Sequence, residues 1–148
     1  MKHKIYLDDV RTPLDPDWIV VRSYDEFVEK VKQLGIENIE TVSLDHDLGD
    51  SAMQEYYTNV SPNYALNYAN IKEKTGYDCA KWLIDFWLDS HDLESAYIRK
   101  APDIGFPTVY THSANPIGSA NIMGYINNFL MNLHRPQTCV RVRIDHTV

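Results

Sequence analysis

The sequence predicts an α/β protein with a mostly parallel sheet and helices on its faces. Three observations carry that expectation. Short apolar runs rich in β-branched residues alternate with longer segments of helical period, an order that right-handed crossovers turn into a parallel sheet. Three of the runs end in polar clusters, Asp8-Asp9 with Arg11, Asp45-His46-Asp47, and His112-Ser113 with Asn115, and strand polarity brings all three to one rim. The length of 148 residues suits a single domain, residues 1–148, with a sizeable core.

Composition narrows the class further. Hydrophobic content of 44% and charged content of 24% are ordinary for a globular chain, and 11% aromatic residues argue against disorder. A net charge of −7 and a pI near 5.2 exclude a broad basic surface for duplex DNA or an anionic membrane. A small anionic substrate would therefore need a metal ion or local arginines. Cys79 and Cys139 form neither a disulfide framework nor a CxxC pair, so both read as core thiols. Met1-Lys2-His3-Lys4 leads only into Ile5-Tyr6-Leu7, too short for a signal peptide or a bilayer span, and the expected location is cytoplasmic.

The elements follow in order. Lys4 to Leu7 reads as a strand ending at Asp8-Asp9. Pro13 and Pro16 keep Val10 to Asp17 from forming a helix of any length, so the first connection is a loop. Trp18-Ile19-Val20-Val21 is a second strand. Ser23 and Glu26 have capping-box spacing, Phe27, Val28, Val31 and Leu34 share a helix face, and Gly35 stops the helix. Thr41 to Leu44 is the third strand.

Residues from about 51 to 74 show no clear period and are dense in tyrosine and asparagine. Irregular insertions of that length suit either a surface excursion packed by its own aromatics or a lid whose tyrosines stack on a base or sugar. Thr75 and Asp78 then open a helix carrying Cys79, Ala80, Leu83, Ile84, Trp87 and Leu88 on its apolar face. Phe106 to Tyr110 leads into a fourth strand. A third helix follows Pro116-Ile117-Gly118, with Ile122, Ile126, Phe129 and Leu133 inward and Pro136 forbidding its continuation. Cys139 to Ile144 alternates apolar with basic residues, the pattern of an edge strand.

Asp8, Asp9 and Asp45 are hard oxygen donors on strand ends that can be neighbours, a set that suits Mg²⁺ or Mn²⁺ better than zinc. A calcium loop is excluded for Asp45-x-Asp47, because Gly49 stands where a third oxygen ligand belongs and Asp50 replaces the turn glycine. His46 points away from Asp45 on an extended backbone and reads as structural. His112 is better placed to move a proton near neutral pH. Ser113 lacks the glycine flanks of a nucleophile elbow, and Asn115 with the N–H groups near Gly118 can hold phosphate oxygens. Arg11 can grip a phosphate in bidentate fashion or neutralise Asp8 or Asp9.

Taken together, Leu7-Asp8-Asp9-Val10-Arg11-Thr12-Pro13, Ser43-Leu44-Asp45-His46-Asp47-Leu48-Gly49, Thr75-Gly76-Tyr77-Asp78 and His112-Ser113-Ala114-Asn115-Pro116-Ile117-Gly118 resemble the cyclic-phosphate-processing receiver family, itself related to two-component response-regulator receivers. The resemblance implies a flavodoxin-like three-layer fold with its first helix shortened or missing. It implies Mg²⁺ at Asp8, Asp9 and Asp45, a main-chain carbonyl ligand from Asp47, and Ser113 in the position of the phosphoryl-sensing hydroxyl. The final strand ends in Asp145-His146 where receivers carry a lysine, which weakens a signalling role.

The function expected is a metal-dependent phosphoesterase acting on a cyclic phosphate of a nucleotide or RNA end. His112 and Asp45 would be catalytic, with Arg11, Ser113 and Asn115 on the phosphate. A cyclic-nucleotide sequestering module and a receiver phosphorylated on Asp45 are the alternatives.

Overall fold

The computed structural model describes residues 2–90 and 105–133. Strands β1 (His3–Leu7), β2 (Trp18–Val21), β3 (Ile39–Leu44) and β4 (Thr108–Thr111) form one sheet in the order β2-β1-β3-β4, and every neighbouring pair is parallel. This is the receiver-like α/β arrangement expected. No helix joins β1 to β2. Instead, Arg22 clamps the proline-bearing loop, its Nη1 donating to the carbonyls of Asp8 at 3.1 Å and Arg11 at 2.6 Å, and its Nη2 to the Thr12 hydroxyl at 2.8 Å.

Helix α1 (Tyr24–Leu34) begins where the Ser23 hydroxyl accepts the Glu26 N–H at 3.2 Å, while the Glu26 carboxylate accepts the Arg22 N–H. Gly35, at φ 86°, ends it and returns its N–H to the Val31 carbonyl. Helix α4 (Gly76–Ser90) opens with the predicted box, the Thr75 N–H donating to Asp78 at 2.8 Å. Helix α5 (Pro116–Asn132) is capped by Asn115, whose Oδ1 accepts the Gly118 N–H at 2.9 Å.

The segment expected to be irregular is largely helical. Helix α2 (Asp50–Glu55) runs through a π-helical turn (Tyr56–Val60) into the short α3 (Ser61–Asn63), and a 3₁₀ turn follows at Tyr68–Asn70. The π turn adds a residue to the repeat, so the 3.6-residue period of the buried positions Ala52, Glu55 and Val60 is lost from the sequence. Glu55 ties the segment's end back, its carboxylate accepting from the Asn67 N–H and from the Asn59 and Asn70 amides at 2.8–2.9 Å.

Helices α1 and α4 pack together, as do α4 and α5, in one layer over the sheet. The core joins Ile5, Leu7, Val42 and Leu44 from the strands to Phe27, Leu83, Trp87 and Ile122 from the helices. Burying Phe27 and Leu83 stabilises the fold by roughly 2–3 kcal/mol each. Cys79 is a buried free thiol within this core. Strand alternation sends Lys4, Tyr6, Ser43 and Tyr110 to the opposite face, where Tyr6 meets Trp18 edge-on. The expected edge strand at Cys139 to Ile144, with Pro136 and Asp145-His146, lies outside the described residues. Among the described residues no helix is long and apolar enough to cross a membrane.

Candidate metal and phosphate site

Register brings the polar clusters together. Tyr6 pairs with Ser43 and Ser43 with Tyr110, so two residues further along, Asp8, Asp45 and His112 come level on the face opposite the helix layer. The ladder runs one residue past the strands to hold them there: the Asp45 N–H donates to the Leu7 carbonyl at 2.9 Å and the His112 N–H to the Leu44 carbonyl at 3.1 Å. In the missing first helix's place stands only the loop that carries Arg11.

One carboxylate oxygen from each of Asp8, Asp9 and Asp45 lies within 4.8 Å of the others. Their protonation differs with their surroundings. Burial alone would raise the pKa of Asp8, but the N–H groups of Arg11 and Val10, at 2.8 and 3.0 Å, and the Arg11 Nε at 2.7 Å outweigh it, and the pKa is lowered. Burial and then repulsion from Asp8 raise Asp9. The same two causes, opposed by a hydrogen bond to Ser113 and by Arg11, push Asp45 up to about 6. Arg11 Nη2 stands 3.6 Å from Asp45 and donates to the His112 carbonyl at 3.2 Å, so its guanidinium is the counter-charge of the acid cluster.

His112 lies flat on Tyr6, ring centroids 4.1 Å apart and planes at 11°. Its Nε2 is 3.1 Å from Asp8 Oδ2 and its Nδ1 is 2.8 Å from Ser43 Oγ. A carboxylate only accepts, so Nε2–H donates to Asp8 and the Ser43 hydroxyl donates to Nδ1, which defines one neutral tautomer. Burial lowers the His112 pKa against the opposing pull of Asp8, which keeps the ring neutral at pH 7.

Behind the acids runs a second polar chain. The Asp47 carboxylate accepts from His46 Nδ1 at 2.7 Å and Asn115 Nδ2 at 3.2 Å, and His46 Nε2 takes the Tyr68 hydroxyl at 3.0 Å, which in turn accepts from Asn121. His46 is fully buried, with Gly118 so close that an added Cβ would sit 2.3 Å from its ring. Tyr68 thus fastens the insertion to the acid loop and to α5.

The predicted residues therefore divide. Asp8, Asp9, Asp45, Arg11, His112 and Ser113 converge on one rim. Asn115 is buried, with its amide given to Asp47 and to the Gly118 N–H, so it braces the loop and faces no open space. The Asp47 side chain is likewise committed, which leaves its main-chain carbonyl as the donor expected from that residue. Sequence reasoning missed Ser43 and Tyr6, which hold the His112 ring. A polar Ser43 inside an apolar strand, two residues before Asp45 and on the same face, was the available sign.

A parallel sheet with an acid cluster at the carboxyl ends of its central strands defines a receiver-like protein. The model of one family, the cyclic-phosphate processing receiver domain, matches residues 3–128, and the chain belongs to that family. No curated protein and no solved structure gives a significant match.

Proposed function

We propose that the chain is a metal-dependent phosphoesterase that opens a cyclic phosphate on a nucleotide or an RNA terminus. The observation that supports this most is the convergence of Asp8, Asp9 and Asp45 beside a neutral, oriented His112. Three carboxylates, two of them held with raised pKa by burial and repulsion, make a hard-oxygen set that fits Mg²⁺ or Mn²⁺, with the Asp47 carbonyl as a further ligand. A cation bound there would supply Lewis-acid polarisation of a phosphoryl oxygen.

The chain's own groups do the rest. Arg11, between Asp8 and Asp45, grips one phosphate oxygen by charge-assisted hydrogen bonds, and the Ser113 hydroxyl orients a second. Once His112 leaves Asp8 and its ring proton moves to Nδ1, where the Ser43 oxygen accepts it, the freed Nε2 takes a proton from attacking water, and the imidazolium so formed passes one to the departing ribose oxygen. Asp45 is the second catalytic residue, as metal-holding carboxylate or as nucleophile; chemical trapping of an acyl phosphate distinguishes the two. Asn115 acts through Asp47 and touches no phosphate.

Purified protein with Mn²⁺ is expected to open a 2′,3′-cyclic nucleotide or a cyclic-phosphate-ended RNA. Asp45→Asn and His112→Ala each reduce turnover by roughly 10²-fold or more with unchanged circular dichroism. Full activity in Asp45→Asn overturns the proposal.

A further inference from the structure

We propose that the cleft between residues 68–75 and the first turns of α4 is a second, anion-binding subsite that takes the nucleotide preceding the cyclic phosphate in a single-stranded RNA. The identity of the strand rests on the function proposed above; the site itself rests on geometry. The cleft measures about 340 Å³, and its lining includes Tyr68, Lys72, Lys74, Thr75, Tyr77 and Lys81. That volume lies within the range of small-ligand sites.

Its charge runs against that of the whole chain, where 21 acidic residues outnumber 14 basic ones. The two acids on its wall are already engaged: Glu73 accepts the Ser51 hydroxyl and the Ala52 N–H, and Asp78 accepts the Thr75 N–H. The lysines are not matched in this way. The Lys72 ammonium has no side-chain partner among the described residues. Lys74 rests over the Tyr24 ring at 5.1 Å, and Lys81 lies over Tyr77 at 4.9 Å and 4.0 Å from Asp78, a half-exposed pair too widely spaced to hold the ammonium strongly. Three lysine side chains on the wall of one cleft offer an anion positive charge that the wall's own acids do not use up.

The cleft is also joined to the acid cluster. The Gly76 N–H donates to the His46 carbonyl at 3.0 Å, and Gly76 packs so tightly that an added Cβ would lie 2.0 Å from the Asp45 carbonyl. Tyr68, on the cleft wall, bonds to His46 and stacks on Tyr77 with ring centroids 5.5 Å apart. In the proposed mode a strand whose end sits at the acid cluster runs over the Asp45-His46 backbone, with its next phosphate toward the lysines and its next base toward the aromatic wall. Positive charge that tracks the backbone beside aromatic rings is how single strands are held without sequence readout. A mononucleotide 2′,3′-cyclic phosphate has no second phosphate and leaves the subsite unused.

The test is binding of a fluorescent RNA trimer ending in a 3′-hydroxyl, followed by anisotropy, to the full chain and to Lys72→Ala/Lys74→Ala/Lys81→Ala. The wild type is expected to bind the trimer and the triple variant to bind it about tenfold more weakly, with affinity falling as salt rises. In ring-opening assays the triple variant should raise KM about tenfold for a cyclic-phosphate-ended trimer and leave the cyclic mononucleotide unchanged. Lysine-dependent trimer binding without any ring opening upholds the subsite and removes the proposed phosphoesterase activity. Equal trimer binding by wild type and triple variant, or equal KM values for the trimer, overturns the subsite and leaves that activity standing.

Discussion

His112 can act only as well as Ser43 and Tyr6 hold it. The Ser43 hydroxyl sets the tautomer through Nδ1, and the Tyr6 ring fixes the imidazole plane. Ser43→Ala is expected to lower kcat for ring opening by about tenfold with little change in KM, a usual loss for a group that orients a reacting one. In His112→Ala the same substitution should cost nothing further, because Ser43 works only through the ring. Kinetics of the two single variants and the double variant check this, and additive losses would place the role of Ser43 elsewhere. At this scale the acids were legible in the sequence, since each follows an apolar strand. The fate of Asn115 was not, because its amide is consumed by Asp47 and by a helix start 68 and 3 residues away in sequence.

Among the elements, α5 meets the His46 ring at its first turn and has open space on one side further along, and two glycines report the difference. A methyl group at Gly118 would meet the buried His46 ring at 2.3 Å, whereas Gly124 has nothing within 4 Å. Gly118→Ala should destabilise by about 1–3 kcal/mol and disturb the Asp47 loop, while Gly124→Ala should stabilise by up to about 1 kcal/mol through helix propensity. Urea denaturation measures both, and a neutral Gly118→Ala would mean that the His46 loop yields easily. Helices α1, α4 and α5 were legible from caps and apolar spacing. The insertion was not: its π turn breaks the period, and its anchoring depends on partners such as Asn121, 53 residues from Tyr68.

For the molecule as a whole, the acid cluster sets a conflict between folding and ionisation. Asp45 has its pKa raised from 3.8 to about 6, so its ionised form is disfavoured in the fold. Without metal, its contribution is favourable below the ordinary carboxylate value and is lost as pH rises through about 6, a change of about 3 kcal/mol. Asp8, with a lowered pKa, acts in the opposite sense on the acid side of 3.8. Mn²⁺ at about a hundredfold over its Kd should add about 2.7 kcal/mol at neutral pH and remove the loss above pH 6. Thermal melting between pH 4 and 8, with and without Mn²⁺, reads both effects. Asp45→Asn should show neither, and a wild-type midpoint unmoved by Mn²⁺ would dismiss the cation site.

The sequence by itself determined the parallel α/β class, the loop in place of a first helix and the candidate acids Asp8, Asp9 and Asp45, because each follows from local rules: proline geometry, strand and helix periods, and the cost of massing carboxylates. Tertiary structure alone decided how these groups are used. Which face Asp8, Asp45 and His112 share depends on the register of three strands. Whether Arg11 neutralises an acid, Asn115 braces a loop or three lysines meet at one cleft depends on contacts between residues far apart in the chain, and no local pattern encodes those distances.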